Sequence, residues 1–171
     1  IFDTEKNVVV LVDTFHARRF KGMQRFTGNA KFSSAVSQVF ILTANLNPAT
    51  LTVNIKNELT EQRLKNVVGV LPGKSKKDEY VVFSGHYDHL GIGKPDKNMD
   101  SIYNGANDDA AGTTAVMMLA KYFSALKEKN ERTIIFVAFT AEEIGGFGSQ
   151  YFSKQLNADK VVAMFNIEMI G

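Results

Sequence analysis

The fold follows from one stretch of sequence, which reads Tyr80-Val81-Val82-Phe83-Ser84-Gly85-His86-Tyr87-Asp88-His89-Leu90-Gly91. Its run of β-branched and aromatic residues ends at Phe83, and polar residues and glycine follow. Such a pattern is typical of a buried strand with a functional loop at its carboxyl end. An imidazole followed two residues later by a carboxylate, as in His86 and Asp88, can bind a metal ion through the ring, while the carboxylate orients the ring or takes protons.

Length, charge and composition exclude several kinds of protein. The 171 residues suit one domain with a sizeable core, or a domain with part of another. The formal net charge of +2 is too small to indicate nucleic acid as a partner, and no apolar run approaches the ~20 residues of a membrane helix, so we expect no nucleic-acid binding and no membrane insertion. The chain has no Cys, which excludes disulfides and thiolate zinc sites. Because it begins with Ile1 and shows no signal peptide, we expect a processed or truncated product.

The residues ahead of this stretch predict short strands and a basic loop. Residues 7–13 and 39–43 are apolar runs that predict strands. Residues 16–26 mix Arg and Lys with Phe; contact with nucleic acid is one interpretation, and a solvated loop is favoured because the chain is nearly neutral. The lone His16 is interpreted as structural. Residues 51–57 alternate apolar and polar side chains, which predicts an edge or half-exposed strand.

On either side of the first stretch, the pattern predicts a hairpin, a loop and a helix. Residues 66–71 predict a strand that pairs with the strand ending at His86 across a charged turn at 72–78. An irregular loop at 90–104 leads into a helix. Five residues of that helix fall at helical spacing on one apolar face: Ala115, Leu119, Tyr122, Phe123 and Leu126.

The last third of the chain adds two strands and a short helix. Residues 133–139 are almost wholly apolar, as expected of a central strand covered on both faces. A short helix near 148–155 and a strand at 161–167 follow. This order predicts an α/β fold in which a mixed, largely parallel central sheet carries helices on both faces.

Three apolar strands end on groups that can bind a metal: His86 with Asp88, Glu142 with Glu143, and Glu168. Asp108 and Asp109 open the helix between the first two of these strands. Ligands of open α/β sheets bind beyond the carboxyl ends of the strands, so we expect these side chains to converge. Close carboxylates repel one another unless cations neutralise them. Mixed imidazole and carboxylate ligands suit zinc, manganese or iron better than calcium.

Each group also has an ordinary structural explanation. His86 could be a hydrogen-bonded structural histidine, and Glu168 a surface residue. Asp109 would serve as a helix N-cap and Asp108 as a turn residue, while Glu142 with its neighbour could begin a helix. These explanations do not account for the position of every group at the end of a strand or the start of the intervening helix. We therefore favour a metal site.

The same residues resemble the zinc aminopeptidase family that uses two co-catalytic metals, of the leucyl aminopeptidase, glutamate carboxypeptidase and glutaminyl cyclase type. The motifs that carry the resemblance lie in order at 84–91 (SGHYDHLG), 104–112 (NGANDDAAG), 139–145 (FTAEEIG), 148–152 (GSQYF) and 166–171 (NIEMIG). The resemblance covers about residues 66–171. It implies a three-layer α/β/α zinc-exopeptidase domain whose N-terminal part is residues 61–171, preceded by a variable or accessory segment, 1–60.

The resemblance also implies roles for the site residues. It implies two zinc ions and four ligands: His86 and Glu168 on the first ion, Glu143 on the second, and Asp108 bridging both. Glu142 is implied as the general base, and Asp88 as the residue that orients the His86 ring. The Asp108–Asp109 peptide is expected to be cis.

Two features depart from the family pattern. Glu168 stands where the family often has Asp, so the first metal is held differently. The family takes one further ligand, a His, from well past Gly171, and neither His16 nor His89 matches it by motif. We therefore expect the chain as it stands to bind the second metal poorly and to be a weak or inactive catalyst on its own.

The implied activity is hydrolysis of the N-terminal peptide bond of a peptide with a free α-amine, with Glu142 accepting the proton of the attacking water. Three alternatives stay open: a glutaminyl cyclase-like acyltransferase with one zinc, a carboxypeptidase or dipeptidase relative, and a receptor or binding domain without catalysis. The presence of His86, Asp108, Glu142 and Glu143 argues against the last. By family habit we expect a secreted or periplasmic location.

Overall fold

The computed structural model describes residues 6–27, 36–54, 56 and 61–171. The chain divides into two compact units, Ile1–Thr60 and Glu61–Gly171. In the first unit, strand β1 (Val8–Asp13) pairs in parallel with strand β2 (Gln38–Thr43), with Val8 opposite Gln38 and Asp13 opposite Thr43. Both strands are confirmed close to their predicted bounds.

The basic segment of the first unit is helical, so the prediction of an irregular loop at 16–26 is wrong. A 3₁₀ turn, Thr14–His16, leads into helix α1 (Ala17–Thr27), and the Asp13 carboxylate accepts a hydrogen bond from the Phe15 N–H at 2.7 Å. Ala, Arg, Lys, Met and Gln fill most of α1 and are all strong helix formers, a preference that the charge of the segment obscures. His16 is exposed, and its ring meets the Phe15 ring edge-on with centroids 5.1 Å apart.

The edge strand predicted over residues 51–57 is wrong where the structure describes it. Residues 51–54 are exposed and have no regular structure, and residues 55 and 57 lie outside the described part of the chain. Alternating side chains produce a strand only where a neighbouring strand supplies backbone hydrogen bonds. Among the described residues, no strand pairs with 51–54.

The second unit is built on a four-stranded sheet with the order β3–β7–β4–β8, in which β4, β7 and β8 are mutually parallel and β3 is antiparallel. Its elements in chain order are β3 (Val67–Leu71), β4 (Lys76–His86), β5 (Gly91–Ile92), β6 (Ile102–Tyr103), α2 (Gly112–Ala125), β7 (Arg132–Phe139), α3 (Phe147–Gln155) and β8 (Val161–Asn166). The short β5 and β6 form a separate antiparallel ribbon within the predicted loop.

The predicted hairpin of β3 with β4 is wrong, because β7 lies between them. Burial explains this order. Six of the eight residues of β7 are buried, and Val137 is 0% exposed, whereas Val67 on β3 is 64% exposed. A strand that is apolar on both faces gains most from the centre of a sheet, and a half-exposed strand loses little at its edge.

Helices cover both faces of this sheet, so the predicted α/β fold class is confirmed. Alternate residues of β7 face opposite ways, as a strand requires. Ile135, Val137 and Phe139 form one cluster with Phe152 and Leu156 of the α3 region. Ile134 and Phe136 form the other cluster with Val116, Leu119, Ala120 and Phe123 of α2.

The buried face of α2 differs by one position from the predicted face. Val116 is 5% exposed and faces the core, although the predicted set omitted it, while Tyr122 is 59% exposed. Tyr122 lies about 100° around the helix from Phe123, which takes the core-facing position seven residues after Val116. Among the described residues, no helix has the length and apolar character needed to cross a bilayer.

Candidate metal centre

The parallel strands carry the predicted side chains to one edge of the sheet. His86 is the last residue of β4, Glu142 and Glu143 follow β7, and Glu168 follows β8. From the His86 Nε2 atom, the Asp108 Oδ1 atom is 3.1 Å away, and the nearest carboxylate oxygens of Glu142 and Glu168 are each 4.0 Å away. The structure therefore brings together the groups whose convergence the strand ends predicted.

The His86 ring is held in one orientation. Its side chain is 2% exposed, and Nδ1 lies 2.9 Å from the Asp88 backbone carbonyl oxygen, to which it donates when protonated. That bond leaves the Nε2 lone pair facing the carboxylates. Asp88 was predicted to orient this ring; the contact is made by its carbonyl group, and its Oδ1 atom is 3.8 Å from Nδ1.

The surroundings of His86 favour its protonated form. Burial by itself lowers the pKa of the ring, but the hydrogen bond to the Asp88 carbonyl and the nearby carboxylates of Asp109, Glu142 and Asp88 together raise that pKa above its ordinary value. Among the described residues, the buried Nε2 atom has no partner in hydrogen-bonding geometry. A buried imidazole nitrogen aimed at carboxylates with no such partner fits a site for a cation.

The Asp88 carboxylate also makes contacts that the sequence did not predict. It accepts hydrogen bonds from the backbone N–H groups of Glu142 at 3.1 Å and Glu143 at 3.3 Å. The chain turns just before them at Ala141, a buried residue whose φ of 57° lies in the left-handed region. Asp88 thus ties the loop after β4 to the turn that carries both glutamates.

A second group of possible ligands contains His89, which matches no ligand motif in the sequence. His89, Asp108 and Glu143 each offer one atom within 4.8 Å of the others, as do His86, Asp108 and Glu168. The His89 Nδ1 atom is 2.6 Å from Glu143 Oε1 and 3.9 Å from Asp108 Oδ2. Asp108 belongs to both groups and turns a different oxygen toward each, which is the position that a bridging ligand needs.

The donor sets and their spacing fit zinc. Two ligands of tetrahedral zinc, each 2.0–2.1 Å from the ion, lie about 3.3 Å apart. Distances of 3.1 and 4.0 Å in the first group, and of 2.6 and 3.9 Å in the second, bracket that value. Each group has one imidazole nitrogen and two carboxylate oxygens, a ligand set that zinc accepts.

Asp109 is buried behind the site, and its hydrogen bonds connect the segments that surround the site. It is 2% exposed, and its carboxylate accepts from the His86 N–H at 3.0 Å, the Gly112 N–H at 3.1 Å and the Met169 N–H at 3.3 Å. These bonds link β4, α2 and the segment after β8. Asp109 is not the N-cap of α2, because Ala111 takes that position and Gly112 is the first residue of the helix. The expected cis peptide between Asp108 and Asp109 is confirmed.

Glu142 stands beside the two ligand groups without belonging to either. Its side chain is 47% exposed, so a molecule from solvent can reach it. Desolvation raises the pKa of its carboxyl group, His86 opposes that shift, and the carboxylates of Glu168, Glu143 and Asp88 reinforce it. A carboxyl group with a raised pKa takes up a proton more readily than an ordinary glutamate.

The fold and the site together define the class of protein. It is an α/β protein whose candidate metal centre is formed by imidazole and carboxylate groups beyond the ends of the parallel strands. The model of peptidase family M28 matches residues 66–171, more than half of the chain, and the chain belongs to this family. The resemblance that the motifs indicated is therefore confirmed.

Individual proteins agree with the family assignment. A probable zinc metalloprotease of Leptosphaeria maculans is 34% identical over 111 residues, covering 64% of this chain and 25% of the relative. A glutamate carboxypeptidase 2 homolog of Caenorhabditis elegans is 30% identical over 114 residues, covering 64% of this chain and 13% of the relative. The crystal structure of a zinc aminopeptidase from Bacillus subtilis matches with a TM-score of 0.50 and 27% identity, over 62% of this chain and 24% of that one. The chain thus spans a quarter or less of the length of these proteins.

Proposed function

We propose that this protein is a zinc-dependent aminopeptidase that binds two zinc ions and removes the N-terminal residue of a peptide. One observation carries the proposal: Asp108 turns one oxygen to a His86–Glu168 group and the other toward a His89–Glu143 group, with Glu142 beside them. A pair of ligand groups joined by one carboxylate suits a pair of divalent ions. Relatives named as zinc metalloprotease and zinc aminopeptidase support the choice of zinc.

The position of each residue fits a different role in peptide hydrolysis. Zinc, when bound, supplies a Lewis acid that lowers the pKa of water and polarises the scissile carbonyl group. Glu142 accepts the proton of the attacking water and passes it to the leaving amine. The exposure of Glu142 and Glu168, 47% and 41% for their side chains, leaves room for a peptide to approach from solvent. The carboxylates around the centre favour a substrate that presents a free, positively charged α-amine.

Replacing Glu142 with Gln tests the role of the base. We expect Glu142→Gln to lower kcat by about 100-fold to 10,000-fold, because the amide cannot accept the proton, and to leave bound zinc unchanged. Turnover of a chromogenic amino-acid amide and elemental analysis of the same sample measure the two effects. Glu128→Gln, at an exposed position after α2, is the matched control and should behave as the parent protein. Near-parental turnover of Glu142→Gln would refute the role of the base.

A carboxypeptidase is the second candidate, because one of the relatives carries that name. Peptides blocked at one end separate the two activities. An aminopeptidase cleaves a peptide that has a free N-terminus and an amidated C-terminus, and it spares a peptide that has an acetylated N-terminus and a free C-terminus. A carboxypeptidase has the opposite preference. Zinc counted per chain separates both from a cyclase with a single zinc.

A further inference from the structure

We propose that Asn66 is a positioning residue for the proposed base. Its side-chain amide ties together the two ends of the loop at 140–148, which carries Glu142 and Glu143, and so keeps Glu142 beside the metal centre. The proposal rests on the aminopeptidase function proposed above and adds to it a residue that lies outside both ligand groups.

The Asn66 amide makes one hydrogen bond to each end of this loop. Its Nδ2 atom donates to the Gly148 carbonyl oxygen at 2.8 Å, and its Oδ1 atom accepts from the Thr140 N–H at 3.2 Å. The Gly148 N–H in turn donates to the Thr140 carbonyl oxygen at 3.1 Å. Three hydrogen bonds therefore close the neck of the loop, where the chain leaves β7 and enters α3, and two of them belong to Asn66.

The close approach at the neck of the loop requires glycine at position 148. Gly148 is buried, and a Cβ atom there would overlap Asn66 Oδ1 and the Thr140 carbonyl oxygen. Gly148 also opens the sequence motif at 148–152, to which the proposed mechanism assigns no role. The space taken by the Asn66 amide and the Thr140 backbone therefore explains the glycine of that motif.

The strand order lets Asn66 and Asp88 hold the loop from opposite sides. Strand β7 lies between β3 and β4, while Asn66 precedes β3 and Asp88 follows β4. Asp88 binds the N–H groups of Glu142 and Glu143, and Asn66 binds the neck. The Glu142 side chain is 47% exposed, so packing holds it only in part and its position depends on these ties to the backbone.

Asn130 offers a matched comparison at the other end of the same two strands. Its Nδ2 atom donates to the carbonyl oxygens of Leu71 and Pro72, each at 3.3 Å, and of Arg132 at 2.6 Å. These bonds join the end of β3 to the start of β7. Because the loop at 140–148 follows the opposite end of β7, loss of the Asn130 amide removes similar bonds and leaves the neck intact.

Amide hydrogen exchange of the full chain without zinc tests the proposal and needs no activity. Asn66→Ala should make the Glu142 and Glu143 N–H groups exchange about tenfold faster than in the parent, because the neck loses two hydrogen bonds. Asn130→Ala should leave both exchange rates at the parental value. Parental rates in Asn66→Ala would overturn the proposal.

Asn66→Asp is a milder form of the same test. Its carboxylate can still accept from the Thr140 N–H but cannot donate to the Gly148 carbonyl group. We expect the N–H groups of both glutamates to exchange at rates between those of the parent and Asn66→Ala. No difference from the parent would mean that the bond to Gly148 does not hold the loop, which contradicts the proposal.

Turnover of a chromogenic amino-acid amide, measured where every variant is folded, separates positioning from stability. Asn66→Ala should lower kcat by about 10–100-fold and leave KM near the parental value, since a misplaced base weakens the transition state more than substrate binding. Asn130→Ala should keep the parental kcat. Parental kcat in Asn66→Ala, or an equal fall in Asn130→Ala, would refute the positioning role. A parent without turnover would refute the aminopeptidase function, and the exchange rates would still decide whether Asn66 holds the loop.

Discussion

The two halves of the candidate metal centre share Asp108 but differ in how their histidines are held. His86 ends a central strand, its ring is 2% exposed, its Nδ1 atom contacts the Asp88 carbonyl and its backbone N–H is bonded to Asp109. His89 lies in the loop three residues later, is 20% exposed, and packs against Gly105. The difference indicates that strand β4 and its hydrogen bonds fix the His86 ring, whereas the His89 ring, which lies in a loop, is held by fewer contacts.

The largest effect should come from disturbing the framework of the first half. A Cβ atom at Gly112 would overlap the Ile167 carbonyl oxygen and the buried Asp109 carboxylate. Gly112→Ala should therefore lower the free energy of unfolding by about 3 kcal/mol or more, even though alanine favours a helix by about 0.5–1 kcal/mol over glycine. Urea denaturation of the zinc-free protein measures the change.

Gly69→Ala is the matched control for that experiment. Its added Cβ would have only Phe136 Cβ within 4 Å, at 4.0 Å, which is an ordinary contact. We expect a change within about 0.5 kcal/mol for this surface-strand position. Equal losses for the two variants would contradict the view that the site framework is packed more tightly than the edge of the sheet.

The second-largest effect should be the difference in the free energy of unfolding between the alanine variants of His86 and His89. In zinc-free protein, His86→Ala should cost about 1–3 kcal/mol of unfolding free energy, because it removes a buried ring and leaves the Asp88 carbonyl without its partner. His89→Ala should cost less than about 1 kcal/mol, since its Nδ1 atom has no hydrogen bond to lose among the described residues. Chemical denaturation in the presence of a chelator compares the two. A larger loss for His89→Ala would reverse the proposed order of rigidity.

The residues that could be predicted from the sequence are those whose signal is local. The strands that became β4, β7 and β8 are continuous apolar runs, and the positions of His86, Glu142 and Glu168 follow from the rule that ligands lie beyond strand ends. The order of the strands could not be predicted from proximity. Burial on both faces placed β7 between β3 and β4, although β3 and β4 are neighbours in the chain.

The contacts that no sequence pattern predicts join a side chain to a distant backbone. The Asp88 carboxylate bonds to N–H groups more than fifty residues away, and the Asn66 amide donates to the Gly148 carbonyl and accepts from the Thr140 N–H. No spacing in the sequence marks such partners. His89 is a second imidazole three residues after His86, but its contact with Glu143 could not be predicted from the sequence.

Replacing Asp88 with Asn tests the link between the two halves of the site. The amide keeps one acceptor oxygen but turns an NH₂ group toward a backbone N–H, so the turn carrying Glu142 and Glu143 should loosen. We expect turnover to fall by about 10–100-fold with a modest loss of zinc affinity.

Asp96→Asn is the control for this change. The Asp96 carboxylate also accepts from two backbone N–H groups, those of Asn98 and Asp100, but in the exposed loop between β5 and β6. Its replacement should leave turnover within about twofold of the parent, since surface changes away from a site have small effects. Equal turnover in the Asp88 and Asp96 variants would show that the Asp88 bonds do not support the glutamates.

The smallest effect should come from the exposed ion pair of Asp78, near the start of β4, with Lys160. Lys160 Nζ is 2.6 Å from Asp78 Oδ1, and Asp78 is 82% exposed. The hydrogen bond and the charge of Lys160 hold the pKa of Asp78 below its ordinary value of 3.8, so the stability it contributes is present above that pH and is lost as the pH falls through the lowered pKa. Asp78→Asn should lower Tm by at most about 2 °C at pH 7, and the gap to the parent should narrow below pH 4 and in 1 M salt. Thermal melts across this range measure the difference in Tm between Asp78→Asn and the parent. If that difference were as large as the one caused by His86→Ala, the two ends of β4 would be held with similar strength. That result would contradict the contrast between a rigid end at the site and a solvated end away from it.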